Sequence, residues 1–298
     1  MKLTKINDKV YYIPNVTNIG CILNGDDAIL IDTGLEDHTG KKILNILEKE
    51  GISVKAIINT HSHADHCGGN AYIKKQTNAL IYAPEIEDTI ITYPYLEPLY
   101  LFSGASPIKE LKKKFYMAKQ SKVDYIIKHN ENYLYINDLK LRIIPLPGHS
   151  PNQIGIEVDD VLFCGDTVVG VDILSKHKIP FNMDLNKQRE SLNFLKATKY
   201  SYYVPSHGSL YEDIEQTVEA NINTINEIDE SILNIVSKQK TIQEISQDLF
   251  NIYGIQINNI GQYCLLNTVI MAHISYLSEI QKIEKFIDNN LIYWIKKN

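Results

Sequence analysis

Cysteine is scarce in this sequence: Cys21, Cys67, Cys164 and Cys264 stand far apart and form no C-x-x-C pair. That excludes a disulfide framework and a structural zinc ribbon, and it fits a reducing cytoplasm. No apolar run is long enough to cross a bilayer. Met1 to Asn18 mixes charges with apolar residues and lacks the continuous apolar stretch and small-residue cleavage site of a secretory signal. The expected location is therefore cytoplasmic, with no membrane partner. Positive charge is also in short supply. Against 36 Asp plus Glu there are 30 Lys plus Arg, a formal net charge of −6, so the molecule as a whole is not a nucleic-acid-attracting polycation.

What is present is the composition of a folded protein, 44% hydrophobic and 22% charged over 298 residues, enough for one medium core and a small appended domain. Strand patterns open the chain: VYYIP, GCILN, a Gly25-Asp26 turn and AILIDTG. Thr39 to Gly51 follows with apolar residues at helical spacing and a glycine stop, and VKAIINT reads as the next buried strand. Strand, helix, strand predicts layered α/β architecture. Residues 84–128 loosen into Tyr- and Pro-rich text, read as a long loop with a helix near Lys109 to Ala118. Strands return in YLYI, LKLRIIPLPG, IGIEV and VLFCGD, with turns at Asn137-Asp138 and Asp159-Asp160.

After His207 the texture becomes helical. Isoleucines and Val218 recur at three- and four-residue steps from Ile214 to Ile235, and Thr241 with Glu244 makes a capping box. A third helix spans about Asn259 to Ser278, and KIEKFI and LIYWIK form a terminal hairpin. Three helices and a two-stranded wing predict a small, mainly helical, winged-helix-like domain over 213–298, behind a larger α/β domain over 1–212. From Asp213 onward 6 Lys and no Arg face 11 Asp plus Glu, a net of −5, and the third helix has no basic residue before His273. Such a surface repels duplex DNA, so its apolar faces are expected to pack on the first domain, wall a cleft or meet a second copy in a homodimer.

The chemistry concentrates in Thr60-His61-Ser62-His63-Ala64-Asp65-His66, directly after a buried strand. Three imidazoles and a carboxylate crowded so closely suit a borderline divalent cation. Three further motifs end apolar stretches: Pro147-Gly148-His149-Ser150, Gly165-Asp166-Thr167 and Pro205-Ser206-His207-Gly208. The ordered series H-x-H-x-D-H, PGH, GD and a final His resembles the ligand series of the metallo-β-lactamase superfamily, over roughly residues 9 to 210. The resemblance implies an αββα sandwich and two metal ions, mostly zinc with iron or manganese as substitutes. It assigns His61, His63 and His149 to one metal, Asp65, His66 and His207 to the other, and Asp166 as the bridge. A water shared by two cations would lose its proton near neutral pH and become the hydroxide nucleophile, with Asp65 as catalytic proton acceptor as well as ligand.

Asp32, at the end of AILID, resembles the superfamily's first motif, whose carboxylate orients a ligand histidine. Cys67 and Cys164 adjoin the motifs but read as small buried hydrophobes, because the ligand set is already full. His38, His129, His177 and His273 have no partner motif and are taken as structural or surface residues. Tyr93, Tyr95 and Tyr100 are candidates for a pocket wall, and Lys112, Lys113 and Lys114 for an anion contact or a solvated face.

Fold does not choose substrate. The expected reaction is hydrolysis of a small ester-type molecule, a thioester or lactone, as in the glyoxalase II group. The rivals are single-strand endoribonuclease activity, as in β-lactamase-like proteins with a winged-helix-like carboxy-terminal domain, persulfide dioxygenase chemistry at a single iron, and a non-enzymatic DNA-binding module.

Overall fold

The chain pairs its strands mostly with sequence neighbours, and two sheets result. The computed structural model describes residues 1–297. In the first sheet β1 (Thr4–Lys5), β2 (Val10–Ile13), β3 (Ile19–Asn24), β4 (Asp27–Ile31), β5 (Ser53–Ile58), β6 (Leu80–Pro84) and β7 (Tyr125–Ile127) lie in chain order. It is antiparallel up to β4 and parallel from β4 to β7, because helices α1 (Asp37–Lys49), α2 (Ala64–Cys67) and α3 (Asn70–Thr77), and residues 85–124 between β6 and β7, carry the chain back. The second sheet runs β12-β11-β10-β9-β8. Its strands are β8 (Tyr133–Ile136), β9 (Leu139–Pro145), β10 (Ile154–Val158), β11 (Val161–Val169) and β12 (Tyr202–His207), and only β11 and β12 pair in parallel. The turns Asn137-Asp138 and Asp159-Asp160 all have positive φ, as the twist of two-residue hairpins demands.

Alternation decides which side of each strand faces the other sheet. In LKLRIIP of β9, Leu139, Leu141 and Ile143 turn inward while Lys140 and Arg142 stay exposed. Between the sheets Ile22, Ile29, Ile31 and Ile58 meet Leu141, Ile143, Ile156 and Phe163. The outer face of the first sheet packs Leu30 and Ile57 on Ile43, Leu47 and Ile73 of α1 and α3. The outer face of the second packs Ile144 and Leu162 on Leu192 and Leu195 of α7 (Leu185–Ala197) and on Val218 and Ile225 of α8 (Glu215–Ile235). Each such side chain contributes about 1.5–3 kcal/mol relative to exposure. The layer order is the αββα sandwich expected from the sequence.

Helices α9 (Ile242–Ile252) and α10 (Ile260–Glu279) and the hairpin β13 (Ile283–Asp288) and β14 (Leu291–Lys296) complete the carboxy-terminal region. The Thr241–Glu244 capping box is formed, with both reciprocal bonds. Ile228, Ile232, Leu249, Ile270, Ile274 and Ile283 make a core of their own there, which also takes in Ile179 and Phe181 from the sandwich. No helix among the described residues is long and apolar enough to cross a membrane.

Residues 84–128 depart from expectation. They hold two short helices, α4 (Glu87–Thr92) and α5 (Leu96–Leu101), while only Lys109–Lys112 winds, as one 3-10 turn. A helix over Lys109 to Ala118 has little to bury there: of the Lys-rich stretch only Leu111 is fully enclosed, against Leu101 and Cys264 of α10. The helices α6 (Val171–His177) and α7 were not anticipated.

Candidate metal centre

All seven donors arrive at one edge of the sandwich. The turn after β5 delivers His61 and His63, and α2 adds Asp65 and His66; the turn after β9 delivers His149, β11 carries Asp166, and β12 ends on His207. Two glycines make the turns possible. Gly148 has φ +133° and lies so close to α7 that a Cβ would sit 2.4 Å from the Gln188 backbone, and a Cβ on Gly68 would sit 1.9 Å from the Leu35 carbonyl.

The donors fall into overlapping groups whose ligand atoms lie within 4.8 Å of one another: His61, His63 and His149; His61, His66 and Asp166; Asp65, His66 and His207. Asp166 touches both ends, with Oδ1 3.3 Å from His66 Nε2 and Oδ2 3.4 Å from His149 Nε2 and 3.3 Å from His207 Nε2. His63 Nδ1 lies 3.1 Å from His61 Nε2 and 2.9 Å from His149 Nε2. Asp65 Oδ2 is 3.2 Å from His207 Nε2 and accepts from the Thr17 hydroxyl at 3.0 Å.

Behind the donors, acceptors fix four of the five imidazoles; His63 instead turns its Nδ1 to the other donors. His66 Nδ1 bonds Asp32 Oδ2 at 2.8 Å, His149 Nδ1 the Phe181 carbonyl at 2.8 Å, His207 Nδ1 the Val16 carbonyl at 2.8 Å, and His61 Nδ1 the Thr60 hydroxyl at 3.0 Å. A proton held on Nδ1 leaves the Nε2 lone pair facing inward. Asp32 thus orients His66 directly and His61 through Thr60, whose hydroxyl donates to Asp32 Oδ2 at 2.8 Å. His66 Nε2 and Asp166 Oδ1, both buried, have no hydrogen-bond partner in the protein. Buried polar atoms without partners are costly, and a set of nitrogen and carboxylate donors turned on one another is what a cation satisfies. The residues present fit a metal site.

Titration follows from burial and mutual charge. Burial pushes His61 well below the usual histidine range and lowers His63 and His149 to about 4. Burial also works against charge on His66 and His207, but Asp166 and Asp65 outweigh it and hold both well above that range. Reciprocally, His66 and His207 keep Asp65 and Asp166 ionised despite burial, which alone would raise them. The carboxylates are in the state a cation needs, and a cation would take the place of the Nε2 protons that Asp65 and Asp166 hold on His66 and His207.

The other residues singled out from the sequence lie away from the donors or serve packing. Cys67 and Cys164 are buried, Cys67 donating to the Ser62 carbonyl at 3.2 Å, and burial raises both thiols. Tyr93 and Tyr95 are exposed at 60% and 41%, whereas Tyr100 packs in the cluster with Leu101, Leu111 and Cys264, so these three do not form one wall. Lys114 pairs with Glu36 at 2.9 Å on the surface. His273 is buried, bonded to Asp229 at 2.6 Å. Sequence reasoning missed Phe181, whose ring stands edge-on to His63 and His149 at 5.3 and 5.6 Å, and the Val16 carbonyl. A backbone acceptor leaves no residue signature.

Fold and donor set together define a metal-binding αββα sandwich protein. Residues 12–207 match the Metallo-beta-lactamase superfamily, and the chain belongs to it. It is 25% identical over 227 residues to the lactamase-like protein nscB of Aspergillus fumigatus, covering 75% of this chain but 57% of that protein. It is 26% identical over 225 residues to a hydroxyacylglutathione hydrolase of Blochmanniella pennsylvanica, covering 74% of this chain and 71% of the relative. A metallo-beta-lactamase family protein of Thermus thermophilus has the same fold, with TM-score 0.72 and 19% identity over 97% of this chain and 99% of that one.

Proposed function

We propose that the chain is a binuclear zinc hydrolase of a small ester-type substrate, a thioester or a lactone. The observation that carries this is the convergence of seven donors on a pair of buried atoms, His66 Nε2 and Asp166 Oδ1, that no protein group satisfies. His61, His63 and His149 would hold one ion, Asp65, His66 and His207 the other, with Asp166 between them. Ions held there would supply an acidified water and a polarised substrate carbonyl. The chain's own part is to orient the imidazoles through Asp32, Thr60, Phe181 and Val16, and to move a proton at Asp65. The Asp65 side chain is 36% exposed, and its ties to His207 and Thr17 support this role in proton exchange.

The substrate class rests on charge and on likeness. A net of −6 overall and −5 after residue 212 disfavours polyanions. The name of the Blochmanniella relative specifies an acylated glutathione, in keeping with a thioester. The carboxy-terminal region, with its winged-helix order of helices and hairpin, serves packing in this reading and binds no duplex DNA. Its core reaches the Phe181 segment that holds His149. The test is a substrate panel of thioesters, lactones and single-stranded RNA. Metal-dependent turnover of a thioester or lactone supports the proposal, and RNA cleavage with no ester turnover refutes it.

A further inference from the structure

Ile86, at the start of α4, has φ +75° and ψ −53°. A β-branched residue in that region is a backbone outlier, and holding it there costs about 1–3 kcal/mol. What the strained residue places is Glu87, a carboxylate with no exposed surface. Glu87 is satisfied entirely by the two turns that present histidines. Its Oε2 accepts from the Ser62 backbone N–H at 3.0 Å and the Ser62 hydroxyl at 2.5 Å. Its Oε1 accepts from the Ser150 hydroxyl at 2.7 Å and the Asn152 N–H at 2.9 Å. Ser62 sits between His61 and His63, and Ser150 follows His149. One carboxylate therefore ties together the segments that carry one complete ligand group, and it touches neither segment bearing Asp166 or His207.

We propose that Glu87 is a positioning residue that clamps these two turns and selectively sets the metal position of His61, His63 and His149; this rests on the two-metal reading above. The other group is oriented by different acceptors, Asp32 and the Val16 carbonyl. Charge-assisted bonds from four donors make the clamp stiff, and a neutral side chain cannot replace it: the amide of Gln would turn an NH2 group onto one pair of donors.

The test is cobalt(II) titration of the metal-stripped full chain, read by visible absorption and by chelator competition. The proteins compared are wild type, Glu87→Gln, and Ser62→Ala with Ser150→Ala. The wild type should take up two equivalents. Both variants should lose affinity for one of them, about 10-fold or more in Glu87→Gln and less in the serine pair, with the second bound as in wild type. The serine pair keeps the buried carboxylate and its two backbone donors, so it decides the matter if Glu87→Gln does not fold. Wild-type affinity at both positions in a folded variant, or equal weakening of both, overturns the clamp. Fewer than two equivalents in the wild type overturns the two-metal reading, and the clamp with it.

Discussion

Replacing Asp32 by Asn changes one atom, yet it should disturb both metal positions of the proposed centre. Backbone strain is not the reason, since φ is +62° at Asp32 and Asn tolerates that region. In the native arrangement the carboxylate accepts three donors at 2.8 Å: the Thr60 N–H, the Thr60 hydroxyl and His66 Nδ1. An amide oxygen placed on the Thr60 N–H leaves an NH2 group facing the other two. His66 can then meet it only as an acceptor, which moves its proton to Nε2, the atom 3.3 Å from Asp166. The Thr60 hydroxyl, deprived of its acceptor, turns its proton toward His61 Nδ1, 3.0 Å away, and drives that ring to the same tautomer. Loss of such an outer partner costs about 10–100-fold in metal affinity. That equals about 1.4–2.7 kcal/mol per ion, and the same amount disappears from metal-linked stability. Zinc titration against a competing chelator reads the affinity, and thermal melts with and without zinc read the linkage. Wild-type zinc affinity in Asp32→Asn would refute the tautomer argument.

Asp166→Ala should abolish turnover and the stabilisation by zinc while leaving circular dichroism and the metal-free melting profile close to wild type, because the residue serves the ions rather than the core. Asp229→Ala should cost about 1–3 kcal/mol in urea unfolding, since it removes the acceptor shared by buried His273 and half-buried Arg189, each held at 2.6 Å, while Arg189 keeps its bond to Asn226. Burial lowers His273 below its ordinary 6.5 despite the pull of Asp229. The unfolded chain therefore binds that proton first, so stability present above about pH 6.5 is lost as pH falls toward the folded value. His273→Gln should flatten this part of the stability profile, and an unchanged acid slope would contradict it.

Much of the site was legible because its donors sit where strands end. A histidine or aspartate after an apolar run marks both the strand and the turn, as in VKAIINT before His61. The sandwich itself shows in alternation such as LKLRII, whose outer lysine and arginine stay exposed. Helix α7 was not legible, because the face it turns inward carries Gln188 and Ser191 beside its leucines. Those two bond the Thr167 and Pro147 carbonyls next to the metal-binding motifs, which breaks the apolar stripe. Glu87 was hidden for a similar reason, being a buried carboxylate whose four partners come from turns distant in sequence. The Lys109 to Ala118 stretch has apolar residues at helical spacing, Leu111, Phe115 and Ala118, but Phe115 is 60% exposed, so no continuous apolar face is buried to hold a helix.

The metal content of the purified chain bears most directly on the central claim. Elemental analysis should find about two equivalents per chain, mainly zinc, with iron or manganese as substitutes. One iron and no zinc would contradict the binuclear hydrolase and point to the mononuclear dioxygenase.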